Sequence, residues 1–261
     1  MTFISFLLIG AVAGLMSGLF GIGGGLVIVP VLISSFAAMG FASESAIHLA
    51  IGTSLATILF TASSASYAHY RRGSIDWLIA RRLMLGLLLG AGAGAWLAGQ
   101  LQARHLSYYF AGFLLLMAWY MGFGRLPKAQ RSLPQQWGTS VLGALVGGIS
   151  AMFGIGGGTI LFPCLSWYGL AAPKAVAISA ICGIPIALVG ASAYIYNGWG
   201  LAELPPGSIG YVYLPAWLGI VLTSSVFARV GSRLAYRLPA KRLKQAFAVL
   251  LLLMAIKLLS T

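Results

Sequence analysis

Apolar residues run along this chain in blocks of roughly membrane-spanning length, and polar residues are confined to the short stretches between them. Residues 3–39 are apolar almost throughout; at 37 residues the block is too long for one span of about 20 and too short for two. A polar turn, Phe41 to Ser45, leads into a span predicted at 46–67, and further spans are predicted at 83–102 and 106–124. A polar linker at 125–136, with Pro127 and Pro134, divides the chain. The pattern then replays: an apolar block over 137–170, followed by spans at 175–196, 211–228 and 245–260.

Both over-long blocks are interrupted by the same motif. The first reads Phe20-Gly21-Ile22-Gly23-Gly24-Gly25 with an apolar run to Pro30; the second reads Phe153-Gly154-Ile155-Gly156-Gly157-Gly158 with an apolar run to Pro163. The offset is 133 residues at the Phe, every Gly and the Pro. Each glycine costs a helix interior about 1 kcal/mol against alanine, so three in a row mark a break rather than a continuous helix. Two further islands repeat in order. Tyr67 to Gly73 aligns with Ser192 to Gly198, and Phe110-Ala111 with Leu114 to Ala118 reappears as Phe247-Ala248 with Leu251 to Ala255. Three ordered matches indicate a duplication. The repeats are expected at 1–124 and 137–261, each one broken hairpin plus three full spans.

Composition excludes a soluble domain: 60% of the 261 residues are hydrophobic and 7% are charged. The apolar N-terminus, Met1 to Leu19, carries no Lys or Arg, so it reads as a first membrane segment rather than a secretory leader. The excess of 16 Lys and Arg over 3 acids lies in short loops, which assigns it to topology and lipid headgroups, not nucleic acid. If the broken blocks crossed the membrane, the basic residues would divide equally between the two sides. If each block dips in and returns, one side collects 14 of the 16 and the other keeps only Arg104 and Lys257. The positive-inside rule favours the second arrangement, with six spans, two re-entrant hairpins and both termini on the non-cytoplasmic side. Three crossings per half make the repeats inverted. The expected fold is therefore an all-α polytopic membrane protein of two inverted repeats.

The chemistry follows from the breaks. Helix starts at Leu26 and Thr159 direct free N–H groups and positive dipole ends at the glycines, and matched broken helices inside membrane sequence point to a transport site. No span carries a central acid, so the expected ligand is a small anion, held by backbone at Gly21, Gly23, Gly24, Gly25, Gly154, Gly156, Gly157 and Gly158. Glycines that serve only close helix packing are the competing reading. Ser54 and its repeat counterpart Ser179 are candidate donors to the anion, unless they bond their own helix carbonyls. Ser17, Thr53, Ser150 and Thr159 are further candidate contacts. His48 is either a proton carrier or an interfacial residue. Gly86, Gly90 and Gly94 form small-residue steps suited to close helix contact. Cys164 and Cys182 form no CxxC and no His/Cys cluster, so neither a metal nor any other cofactor is indicated.

These residues resemble the TauE/SafE family, also called the 4-toluene sulfonate uptake permease family. The likeness rests on Gly18 to Gly25 with Pro30, on its copy from Met152 to Pro163, and on His48-Leu49-Ala50-Ile51-Gly52-Thr53-Ser54, and it extends over the whole chain. It implies a secondary transporter of sulfur-containing anions such as sulfite, sulfonates or sulfoacetate, in a bacterial inner membrane; a proton and a sodium ion are the candidate coupling partners, and the sequence does not choose between them. The second half departs from the motif at Ala177-Ile178-Ser179, which makes the expected site asymmetric. An anion channel, and a membrane thiol carrier using the two cysteines, are the alternatives. Oligomeric state is not legible.

Overall fold

A computed structural model of the chain describes residues 3–20, 24–123, 136–235 and 240–259. The first half is built from α1 (Phe3–Phe20), α2 (Gly25–Ala38), α3 (Ser43–Arg71), α4 (Trp77–Gln100) and α5 (Ala103–Phe123). The second half is built from α6 (Gln136–Met152), α7 (Gly158–Trp167), α8 (Ala172–Asn197), α9 (Leu214–Ala235) and α10 (Ala240–Leu259). Both over-long apolar blocks are thus divided at their glycines, and the expected spans fall on the remaining helices with ends shifted by a few residues. Apart from Gln136, the expected linker lies outside the described residues, as do Gly21 and Gly23.

Among the described residues four helices, α3, α4, α5 and α8, are long and apolar enough to cross a membrane. Their outer faces confirm the solvent they need. Leu85 and Leu89 on α4 are 63% and 66% exposed, and Trp119 on α5 is 66% exposed. Large apolar side chains repeating along exposed helix faces are a lipid-facing surface, since water would not tolerate them. This is a multi-pass membrane protein. The small residues do the opposite work. Gly86, Gly90 and Gly94 bring α4 against Ser140, Ala144 and Gly148 of α6 so closely that no Cβ fits between the backbones.

The helices do not pair with their chain neighbours alone. α1 packs along α9 and α4 along α6, so each half lends its partner a helix. α3 and α8 cross in the centre, and α5 packs on α10. The island shared by α5 and α10 buries equivalent positions in both copies: Phe110, Ala111, Leu114 and Ala118 in one, Phe247, Ala248, Leu251 and Ala255 in the other.

One element was not foreseen. Residues 208–213 form a small antiparallel hairpin, β1 (Ser208–Ile209) and β2 (Val212–Tyr213), where the expected last-but-one span was to begin. Tyr213 projects into an aromatic cluster, with ring centroids 5.9, 5.7 and 5.3 Å from those of Phe6, Phe36 and Phe41. The hairpin thereby ties α1 and α2 to α9 at one end of the bundle.

Candidate functional site

The second break is described completely. α6 ends in a Schellman turn: Ile155 N donates to Ser150 O at 2.8 Å and Gly154 N to Ala151 O at 3.4 Å, with Gly154 at φ 71° in the left-handed position that closes such turns. Gly157 then caps α7, again left-handed at φ 74°, and Gly24 caps α2 at φ 71° in the same conformation. Pro30 and Pro163 both sit inside the helices that these caps start. Glycine is needed at these caps because a Cβ destabilises positive φ.

The two breaks meet. A Cβ on Gly25, the first residue of α2, would lie 2.5 Å from Gly154 O, so the start of α2 rests on a carbonyl of the opposite break. The central helices cover the rest. Ile58 on α3 approaches Gly156, and Ile186 on α8 approaches Gly157, their methyls 2.9 and 2.6 Å from the respective Cβ positions. Gly183 on α8 lets that helix pass over Gly156 O, and Phe153 anchors the break on α5 through Phe110 and Phe113, with centroids 5.5 and 5.1 Å away. Residues 153–157 are buried throughout, and Gly158 is half-buried.

The polar candidates divide into two groups. Ser54 Oγ donates to Gly154 O at 2.8 Å, across 100 residues of sequence, rather than to its own helix. Its proton shapes the second break. Thr53 Oγ1 accepts from Tyr213 N at 3.0 Å and so holds the hairpin. Neither partner was foreseen, because both lie in the other half of the chain. The second group has no hydrogen-bond partner among the described residues: Ser150 Oγ, Thr159 Oγ1 and Ser179 Oγ, all buried. No described residue accepts from the N–H groups of Gly156, Gly157 and Gly158. Ser17 lies in α1, whose packing on α9 is described above.

His48 is buried, 4% exposed, near the start of α3. Its Nε2 lies 3.1 Å from Ala98 O; a carbonyl only accepts, so that nitrogen carries the proton. Nδ1 has no partner among the described residues, and the ring stacks on Tyr211 at 5.1 Å. Burial, aided by the Glu203 carboxylate, pushes the Tyr211 phenol above its ordinary range. Cys164 and Cys182 are unbridged, and Cys182 is wholly buried.

Comparison with known proteins gives the family of the chain. Residues 6–258 match the family model described as sulfite exporter TauE/SafE. The chain is 36% identical to a probable membrane transporter protein of Haemophilus influenzae, over 96% of this chain and 95% of that one. It is 25% identical to a probable membrane transporter protein of Methanocaldococcus jannaschii, over 91% and 88% of the two chains. YunE, a probable membrane transporter protein of Bacillus subtilis, is 24% identical over 99% and 98%. No solved structure matches the chain.

Proposed function

The chain belongs to the TauE/SafE family of membrane transporters, and from that premise we propose that it is a secondary transporter of a small sulfur-containing oxyanion. The anion is held at the two glycine breaks and crosses the cytoplasmic membrane by alternating access. The observation that carries the reading is the meeting of the breaks: in the buried centre of the bundle the start of α2 rests on the turn that leads into α7, with Gly25 against Gly154 O. Helix starts are anion sites by virtue of their free N–H groups and dipoles, and such ends at a repeat interface are where transporters bind. Close packing explains Gly25, Gly154 and Gly183, but it does not explain buried hydroxyls near this break that have no partner among the described residues.

The pairing of α1 with α9 and of α4 with α6 supports two inverted repeats at 1–124 and 137–261. Exchanging the halves converts one pair into the other and leaves the α3/α8 and α5/α10 crossings unchanged. In this reading the breaks are re-entrant, six helices span, and both termini face away from the cytoplasm. With the breaks closed on each other, anion entry requires their separation, which is the motion that alternating access demands.

Purified protein in liposomes is the test. Saturable sulfite uptake with counterflow is expected of a carrier; flux that never saturates would replace it with a channel. Full transport in a Cys164→Ala, Cys182→Ala variant is expected and would dispose of thiol chemistry. Failure of sulfite, thiosulfate and sulfonates alike to bind or move would refute the sulfur-anion assignment.

A further inference from the structure

Two of the buried hydroxyls that have no partner among the described residues flank one helix start. Ser150 occupies the last turn of α6 and is wholly buried; Thr159 is the second residue of α7 and is 3% exposed. Ser150 Oγ stands 3.8 Å from the position a Cβ on Gly157 would take, so it faces the cap of α7. Buried hydroxyls are almost always paired, and two exceptions at one buried helix start point to a ligand that pairs them. The first break repeats only half of this set, since Ser17 stands 133 residues before Ser150. Leu26, buried and apolar, stands where the second has Thr159, 133 residues on. Ser54 gives its proton to Gly154 O, so it shapes the break instead of offering a donor.

We infer that the anion's oxygens are held by the second break, through Ser150 Oγ, Thr159 Oγ1 and the N–H groups that open α7, while the start of α2 at Gly25 forms the opposing wall. This rests on the transporter reading above and sharpens it. The site is lopsided at one position, since the hydroxyl of Thr159 has no counterpart on α2. The donors are neutral, and the walls supplied by Ile58 and Ile186 are aliphatic and close, so the site takes a compact oxyanion in preference to a sulfonate with a bulky organic tail.

Calorimetric titration of the purified full-length protein tests this, with sulfite and thiosulfate as compact probes and 4-toluenesulfonate as the bulky one. Wild type is expected to bind one compact anion per chain and the bulky probe far more weakly. Each of Ser150→Ala and Thr159→Val removes one hydrogen bond to a charged ligand, so affinity should fall by about tenfold or more, and Thr159→Ser should restore it. Wild-type affinity in both Ser150→Ala and Thr159→Val, with wild type itself binding, overturns this inference and leaves the transporter reading standing. Equal binding of 4-toluenesulfonate overturns the size argument. Wild type that binds none of the three probes overturns both the sulfur-anion reading and the site built on it.

Discussion

Ser54 and Ser150 are both buried hydroxyls beside the same glycine break, yet replacing each by alanine should move stability in opposite directions. Ser54 Oγ donates to Gly154 O at 2.8 Å, and both residues are removed from solvent. Ser54→Ala leaves that carbonyl without the donor, and an unsatisfied buried polar group costs about 1–3 kcal/mol. Ser150 Oγ has no partner among the described residues, so its desolvation is already uncompensated in the anion-free protein. Ser150→Ala removes that penalty, and the variant should be equal to wild type or more stable by about 1–2 kcal/mol. The assay is unfolding of anion-free protein in mixed detergent micelles, following all three proteins under one set of conditions. Saturating anion should then reverse part of the order. A ligand at a hundred times its dissociation constant stabilises by about 2.7 kcal/mol, and Ser150→Ala, binding more weakly, should gain less than wild type. A Ser150→Ala variant that loses as much stability as Ser54→Ala in the absence of anion would show that Ser150 is engaged by the protein itself, and the reasoning fails.

Four further outcomes are expected. Gly157→Ala must place a Cβ at φ 74° and against the Ile186 methyl, so anion binding should be lost and stability should fall by about 1–2 kcal/mol, read by titration and unfolding side by side. Gly90→Val should separate α4 from α6, where Gly90 already lies against the Ala144 backbone; native gel filtration and unfolding should show a loss of several kcal/mol, about that of core overpacking or more. Single cysteines at Arg72 and Lys174, in a cysteine-free background, should label from the same side of the membrane; labelling from opposite sides would make the broken blocks true crossings. If His48 carries the coupling proton, His48→Gln should flatten the pH dependence of uptake while its amide still donates to Ala98 O, and an unaltered profile removes His48 from that role.

Much of this architecture was legible in the sequence because a bilayer imposes its thickness on the chain. Blocks of about 20 apolar residues had to be helices, since only internal pairing satisfies a backbone in lipid. The glycine runs had to interrupt them, and left-handed caps at Gly24 and Gly157 follow from glycine's lack of a Cβ. The small-residue steps at Gly86, Gly90 and Gly94 announced a close contact, though not its partner. Partners are what the tertiary structure decided. In a membrane, lipid-facing and protein-facing surfaces are both apolar, so periodicity does not say that α1 lies on α9 or α4 on α6. The same limit hid the fate of the polar residues. Ser54 and Ser150 look alike in sequence; one is bonded to a carbonyl 100 residues away and the other has no partner among the described residues, and only the crossing of the central helices over the break separates them. Thr53 is captured by a hairpin whose two-residue strands are too short to show an alternating pattern, although Pro205-Pro206-Gly207 marked the turn before it. Local chemistry determined where the helices break; contacts between distant segments decided which side of a break keeps its donors free.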